Sequence, residues 1–316
     1  MGRQLSRPAT ERLLAAVDLL VTLMEASSGV VPNHGPNDGA FVHPITSSSY
    51  RDFRPVVTAV SALWQHPVPP EIEPDAETLG WIGAGAPPAG TRRDDGLSAG
   101  ESGWALARSG PFEVFLRAGP YHSRPGHVDP LHIDVRVNGR EVIVDPGTFA
   151  YAADPPWNNG LADHAVHNGP QIEGRPPGVR GPRFLWYLWP SAKIVEAHWH
   201  APRATIVAET PAGARRTVIV DPDRVEVTDG VSGHGGSAWR VRWLLHPEAD
   251  PERVTVIPAP RRGRGSEEDV FGWFSPHYGE RLSCHTLEVE PPPLRAVSIV
   301  TAIYATDVPA PTETRA

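Results

Sequence analysis

The sequence contains a single cysteine, Cys284, among its 316 residues. No disulfide can therefore form within the chain, and folding does not depend on an oxidising compartment. No stretch reaches the ~20 consecutive apolar residues that a membrane span requires. The apolar run from Leu13 to Met24 is interrupted by Asp18 and preceded by charged residues, unlike the core of a signal peptide. The sequence thus predicts no transmembrane segment and no signal peptide, and it leaves the location in the cell open.

Positive charge is also scarce, since 29 Lys and Arg face 37 Asp and Glu, which gives a formal net charge of −8. Nucleic-acid binding requires clustered cations. The one local cluster, Arg261-Arg262-Gly263-Arg264, is followed closely by Glu267 and Glu268. Charge runs of this kind are usually solvated loops, so we expect a loop here and no nucleic-acid partner.

Proline, glycine and tryptophan, by contrast, are abundant. The chain has 36 Pro, 30 Gly and 10 Trp, with 40% hydrophobic residues, a composition typical of a globular protein rich in turns. Helical spacing is confined to the beginning, where apolar residues recur after Ser6 and again after Pro55. We therefore predict a helical segment over residues 1–66.

A change of composition after this segment indicates a domain boundary. Residues 67–107 are rich in Pro and Gly and are predicted to form a linker, with one short strand near Trp81. Beyond them, about ten short runs alternate apolar and polar residues with turn-sized gaps. The predicted fold is mainly β: a large antiparallel β-sandwich over residues 108–306, preceded by the short α-helical segment and followed by a frayed tail over 307–316.

One predicted hairpin brings several chemistry-bearing residues together. Asn138-Gly139 separates two alternating runs and is a strong hairpin signal. His127 precedes the first strand, Asp145 ends the second, and His167 lies in the following loop, so we expect the three to converge. Two imidazoles and a carboxylate are a common ligand set for Zn²⁺, with Asp129 available to orient a ligand histidine. The alternative is that both histidines are ordinary loop residues and that Asp145 only caps a turn.

The segments around these residues resemble the signature of heparinase II/III-type polysaccharide lyases, in their intervals as well as their residues. They are Arg124-Pro125-Gly126-His127-Val128-Asp129-Pro130-Leu131-His132, Asp145-Pro146-Gly147-Thr148-Phe149, Ala165-Val166-His167-Asn168 and Arg183-Phe184-Leu185-Trp186. Upstream, Val31-Pro32-Asn33 through Asn37-Asp38-Gly39, and Tyr50 to Pro55, resemble the last helices of that family's (α/α) toroid.

The resemblance implies a toroid followed by a β-sandwich, with the active site in the cleft between them. It implies β-elimination on a uronic-acid-containing, acidic polysaccharide, and a zinc ion held by His127, Asp145 and His167. Two departures stand out. The family commonly has an acid/base histidine two residues before the first metal ligand, where this chain has Pro125. The Asn, His and Tyr that earlier toroid helices supply have no counterpart here, so the chain resembles the C-terminal portion of a lyase.

Other residues of the predicted sandwich could supply chemistry. Tyr151 follows the hairpin and could donate a proton, and His122 and His164 are similarly placed. Trp157, Trp186 and Trp189 could stack on sugar rings, although aromatic residues of a sandwich usually pack in its core.

Three functions are consistent with these residues. The first is a polysaccharide lyase domain, with Tyr151 and His122 as catalytic candidates. The second is a non-catalytic carbohydrate-binding or structural sandwich whose metal only fixes loops. The third is a metal-dependent hydrolase on an unrelated β-fold such as a jelly roll.

Overall fold

The computed structural model describes residues 5–33, 35–39, 46–182, 184–233, 237–291 and 298–305. The predicted tail over 307–316 and Arg183 of the family-like motif lie outside these residues. Contacts between Cα atoms divide the chain into two compact units, one comprising Met1–Pro32 and Gly39–Asp94, the other Asn33–Asp38 and Asp95–Ala316. No helix in the described ranges is long and apolar enough to cross a bilayer.

The first unit is helical and the second is built of strands, as the sequence predicts. The helices are α1 (Arg7–Leu23), α2 (Arg54–Trp64) and α3 (Ala76–Ile82). The strands are β1 (Gly96–Gly100), β2 (Trp104–Ser109), β3 (Phe112–Arg117), β4 (His132–Val137), β5 (Arg140–Ile143), β6 (Pro170–Ile172), β7 (Val179–Arg180), β8 (Trp186–Leu188), β9 (Lys193–His200), β10 (Arg203–Glu209), β11 (Ala214–Val220), β12 (Arg224–Val231), β13 (Trp239–Leu244), β14 (Val254–Ile257), β15 (Arg261–Arg264), β16 (Trp273–Phe274), β17 (Leu282–Ser283), β18 (His285–Val289) and β19 (Ile299–Tyr304).

The helical unit packs around a small apolar cluster that includes Val17, Met24 and Val57. The prediction of a strand near Trp81 is wrong, because this residue lies in α3. The Asp75 side chain accepts a hydrogen bond from the Thr78 backbone N–H at 2.6 Å and so caps the first turn. This cap sets a short helix within a Pro- and Gly-rich stretch.

The second unit is a β-sandwich whose sheets share one apolar core. Five strands pair in the order β1-β2-β3-β4-β5, six in the order β14-β19-β12-β11-β10-β9, and four in the order β15-β18-β13-β6. The core draws buried residues from all three of these sheets, among them Val135, Ile206 and Trp243. The predicted mainly β, antiparallel architecture is confirmed.

Two stretches contain more regular secondary structure than the sequence predicts. The segment predicted as a linker over 67–107 contains α3, β1 and part of β2, and the boundary between the compact units falls after Asp94. The loop expected at Arg261–Arg264 is strand β15, paired with β18. Arg261 stands opposite Glu288 in that pairing and forms a salt bridge with it, which offsets the charge of a basic edge strand.

One ion pair is completely buried within the sandwich. Arg216 on β11 and Asp229 on β12 face each other across the strands, and both side chains are 0% exposed. Two parallel hydrogen bonds of 2.7 and 2.8 Å join them, and the guanidinium lies 4.8 Å from the ring centroid of Trp243. Arg216 also donates to the carbonyl oxygens of Leu131 and Asn168. This pair therefore ties the six-stranded sheet to the loops around the predicted metal residues.

Candidate metal centre and the neighbouring cavity

The β4–β5 hairpin places the predicted metal residues together. Asn138 and Gly139 occupy the turn with φ angles of 51° and 75°, which allows a tight connection between the strands. His127 lies before β4 and Asp145 just after β5, so both are at the same end of the hairpin. His167 follows a 3-10 turn at His164–Val166. The three residues are buried, and one ligand atom from each lies within 4.8 Å of the others. Their predicted convergence is confirmed, and the group could hold a metal ion.

The nitrogen atoms of this group lack the hydrogen bonds expected at buried positions. Nδ1 of His127 and both ring nitrogens of His167 are buried without a hydrogen-bond partner among the described residues. Nδ1 of His167 lies 3.0 Å from Oδ2 of Asp145, but outside hydrogen-bonding geometry. A buried polar atom without a partner costs about 1–3 kcal/mol. A cation between these lone pairs would remove that cost, so the residues fit a metal ion.

The protonation states also suit a metal ligand set. Burial lowers the pKa of His127 to about 4, so its imidazole is neutral at pH 7. Burial alone would raise the pKa of Asp145, but the neighbouring histidines, His167 first and then His132 and His127, together outweigh it and hold this pKa well below its usual range. A neutral imidazole and an ionised carboxylate are the forms that bind a divalent cation.

Thr148 orients the first ligand histidine. Its Oγ1 lies 2.9 Å from Nε2 of His127, which leaves Nδ1 of that ring for a metal ion. The sequence had offered Asp129 for such a role. Its carboxylate instead pairs with Arg117 at 3.0 Å and accepts a hydrogen bond from the Tyr121 hydroxyl. These two donors lie on β3 and in the loop that follows it, and each pairs with one of the two carboxylate oxygens of Asp129.

A further histidine borders the centre but has the wrong tautomer to be a ligand. Nδ1 of His132 accepts a hydrogen bond from the Asn168 backbone N–H at 3.1 Å, so in the neutral ring the proton is on Nε2. That nitrogen lies 3.6 Å from Asp134 and 3.8 Å from Asp145. The other oxygen of Asp134 accepts the backbone N–H of Asp145 at 2.9 Å. Asp134 therefore holds the backbone of the ligand Asp145, and His132 lies beside both carboxylates.

Asn168, next to the ligand His167, joins several strands. Its amide nitrogen donates to the Val144 carbonyl at 2.8 Å, and its amide oxygen accepts the Leu244 backbone N–H at 2.6 Å. Its own carbonyl accepts a hydrogen bond from Arg216. The position of the last ligand is thus fixed by contacts to β13 and to the end of β5.

Tyr151 lies in the loop after the hairpin and is held at its hydroxyl. The hydroxyl donates a hydrogen bond to the Asp38 carboxylate. The Tyr278 hydroxyl accepts a hydrogen bond from the Tyr151 backbone N–H at 3.0 Å. Partial burial and the hydrogen bond to Asp38 together raise the pKa of Tyr151 well above its usual range. At neutral pH this residue keeps its proton, so it suits a proton donor and not a base.

A cavity of about 450 Å³ lies beside this tyrosine. Tyr151, Asn158, Arg180 and Phe184 are among its lining residues. The rings of Tyr151 and Phe184 meet edge to face, with centroids 4.8 Å apart. Arg180 is already bound to the Asn159 carbonyl and to Asp163. The cavity therefore combines an aromatic wall with a few amide and guanidinium groups, a lining typical of small-molecule sites.

The remaining candidates fall into different environments. His122 is exposed in the loop between β3 and β4. Trp186 is buried and donates its indole N–H to the Pro125 carbonyl at 2.6 Å. Trp157 packs against Arg281, whose guanidinium lies 3.6 Å from its ring centroid. Trp189 is 43% exposed, so of the three tryptophans named from the sequence it presents the most open face.

Burial of His164 gives the free energy of unfolding a pH dependence that can be measured. Its ring nitrogens lie 3.3 Å from the Val128 carbonyl and 3.2 Å from the Pro170 carbonyl, and burial lowers its pKa to about 4. Between pH 6.5 and 4 the unfolded chain binds more protons at His164 than the folded chain does. The contribution of His164 to the free energy of unfolding is therefore fully present above pH 6.5 and is lost as the pH falls towards 4. Over this interval, we expect the free energy of unfolding of His164→Gln to fall by about 1–3 kcal/mol less than that of the wild type.

The measurement is urea unfolding of both proteins in chelator at several pH values between 7.5 and 4. Comparing the wild type with the variant cancels contributions from other titrating groups. His122→Gln, at an exposed histidine, is the matched control and should follow the wild type. Parallel curves for the wild type and His164→Gln would contradict the assignment.

Solved structures of polysaccharide lyases share this fold. The chain aligns with a structure of heparinase III at a TM-score of 0.64 and 12% identity, over 96% of this chain and 50% of that one. A mutant of the heparan sulfate lyase HepC from Pedobacter heparinus aligns at 0.63 and 14% identity, over 92% and 45%. A mutant of the chondroitin AC lyase from Streptomyces coelicolor A3 aligns at 0.53 and 13%, over 95% and 49%. The chain thus spans about half the length of these proteins.

A sequence-family comparison agrees with the structural one. No curated protein sequence matches the chain significantly. Residues 91–301 match the family model described as heparinase II/III-like, C-terminal, which overturns the hypothesis of a hydrolase on an unrelated β-fold. The match covers the β-sandwich with the whole His127, Asp145 and His167 group. The chain belongs to the heparinase II/III-like C-terminal domain family.

Proposed function

We propose that this chain forms the β-sandwich portion of a polysaccharide lyase that acts by β-elimination on a uronic-acid-containing polysaccharide. The observation that carries the proposal is the buried convergence of His127, Asp145 and His167 within a domain of the heparinase II/III-like family. The names of the structural neighbours, heparan sulfate lyase and chondroitin AC lyase, support an acidic polysaccharide as the substrate class.

In this proposal the metal is zinc and its role is to hold loops. His127, Asp145 and His167 are 1%, 3% and 1% exposed, so a sugar ring has no direct access to a metal bound between them. A zinc ion there would bind the loop before β4, the end of β5 and the loop after it to one another. Those loops also carry His122 and Tyr151, the proposed catalytic residues.

β-Elimination requires two protein groups that act on the substrate, a base and a proton donor. The base takes the proton from the carbon next to the uronate carboxylate, the bond to the glycosidic oxygen breaks, a carbon–carbon double bond forms, and the leaving oxygen takes a proton. Tyr151 is proposed as the donor because its phenol carries a proton at neutral pH. His122 is exposed in the loop before β4 and is proposed as the base.

Activity can be tested by adding zinc-loaded protein to heparan sulfate, chondroitin sulfate and polyuronates and following the ultraviolet absorbance of the unsaturated product. We expect turnover, reduced about 10²–10⁴-fold by Tyr151→Phe, the range for loss of one acid/base group. Tyr304→Phe, on β19 of the six-stranded sheet, is the matched control and should leave the rate unchanged. Equal rates for Tyr151→Phe and the control would contradict the donor role, and no product from any polymer would contradict catalysis by this chain.

A second candidate is a non-catalytic carbohydrate-binding or structural sandwich with a metal site. Two observations favour it. Pro125 stands where the resemblance leads one to expect an acid/base histidine, and the Tyr151 hydroxyl is already bound to Asp38. Binding of the same polymers by calorimetry, without formation of the unsaturated product, would support this function over the first.

A further inference from the structure

A short segment from the N-terminal part of the sequence lies against the loops of the metal centre. This strap, defined here as Asn33 and residues 35–38, falls between α1 and α2 in sequence but belongs to the same compact unit as the sandwich. Asn33 donates to Oδ1 of Asp145 at 3.3 Å, and Asn37 donates to the Pro276 carbonyl at 3.3 Å. Asp38 accepts the hydrogen bond from Tyr151. The strap therefore contacts a metal ligand at one end and the cavity wall at the other.

The strap also packs closely on the loop of another ligand. A Cβ atom added at Gly126 would lie 2.2 Å from Cδ of Pro36, far inside van der Waals contact. Gly126 is the neighbour of His127 in sequence. The glycine therefore lets the strap approach the backbone of the first ligand, while Asn33 reaches the second.

We propose that Asn33 positions the metal ligand Asp145 and couples the strap to the metal centre. Oδ1 of Asp145 accepts the Gly147 backbone N–H at 2.8 Å and the Asn33 side-chain amide. Two donors on one oxygen fix the rotation of the carboxylate, which keeps Oδ2 beside His167. Asn33 thus contributes a side-chain hydrogen bond to this carboxylate from outside the three ligands. Polar partners of this kind orient metal ligands and tune their affinity.

This inference rests on the metal-binding part of the proposed function. It adds a consequence that the three ligands alone do not have, because the strap joins Asp145 to Tyr151 through Asn33 and Asp38. Ordering of Asp145 by a bound metal should therefore also order the strap and the hydrogen bond that holds the tyrosine. Removal of the Asn33 amide should uncouple the two.

The first test is the zinc affinity of the full chain, measured by competition with a chromogenic chelator at constant pH. Asn33→Ala should bind zinc about 10–100-fold more weakly than the wild type, the usual effect of losing a partner of a metal ligand. Asn37→Ala is the matched control and should bind zinc as the wild type does, because the Asn37 side chain donates to the Pro276 carbonyl and to no ligand. Circular dichroism in chelator would verify that both variants fold, and Asn33→Ser would replace an alanine variant that did not.

The second test is amide hydrogen exchange with and without zinc. In the wild type, zinc should slow exchange at residues 35–38 as well as around Asp145 and Gly147, and in Asn33→Ala the protection of the strap should be lost. The inference is overturned if Asn33→Ala binds zinc as the wild type does, if Asn37→Ala is weakened equally, or if zinc leaves the strap unprotected. A wild type that binds no zinc would instead refute the metal in the proposed function.

Discussion

Replacement of Arg216 by methionine is expected to lower the free energy of unfolding by about 3–5 kcal/mol, the range for breaking a buried ion pair from one side. The variant would leave the Asp229 carboxylate at 0% exposure without its partner. It would also remove hydrogen bonds to the Leu131 and Asn168 carbonyls and the contact with Trp243. Urea unfolding at pH 7 measures the change.

A surface ion pair provides the matched control for this variant. Arg203 pairs with Asp221 at 2.8 Å, but its side chain is 58% exposed, so Arg203→Met should cost no more than about 1 kcal/mol. The double variant Arg216→Met, Asp229→Leu removes both buried charges and should be more stable than Arg216→Met alone. Similar losses of unfolding free energy in Arg216→Met and Arg203→Met would contradict a larger contribution from the buried pair.

Replacement of Asp145 by asparagine should abolish zinc binding while preserving the shape of the side chain. The ligand charge is lost, and affinity should fall by more than the 10–100-fold expected for an outer partner. Zinc at a thousand times its dissociation constant stabilises the wild type by about 4 kcal/mol, and this increment should vanish in the variant. Thermal unfolding with zinc and with chelator measures it directly.

The control for this charge change is Asp163→Asn. Asp163 pairs with Arg180 at 3.3 Å, and its side chain is 41% exposed, so its loss leaves the metal residues intact. This variant should keep the full zinc-dependent increase in unfolding temperature. An unchanged zinc response in Asp145→Asn would mean that the metal, if any, binds elsewhere.

The sequence was sufficient to find the centre because its three residues are attached to one hairpin. Alternation and the Asn138-Gly139 turn define which ends of β4 and β5 meet, so the approach of His127 and Asp145 follows from local pairing. His167 was found from its position in the next loop. The strand order and the shared core could not be predicted in the same way, because they depend on contacts between strands far apart in the chain.

The supporting residues were missed for physical reasons that differ. His132 and Asp134 alternate on β4, which shows that they share a face but not that this face lies behind Asp145. Asn33 is 112 positions from the carboxylate it contacts, and no periodic pattern spans that distance. Arg216 was missed because arginine is rarely fully buried, so a strand position occupied by it is expected to face solvent.

The adjacency of His167 and Asn168 couples the candidate metal centre to the strands of the sandwich. One residue offers nitrogen atoms to the centre, while its neighbour holds backbone groups of β13, the end of β5 and the buried Arg216. Replacement of both residues would therefore be expected to lower the stability of the fold. Substitution of Asn168 in this chain is also expected to loosen the loop that carries His167 as well as the strands that it joins.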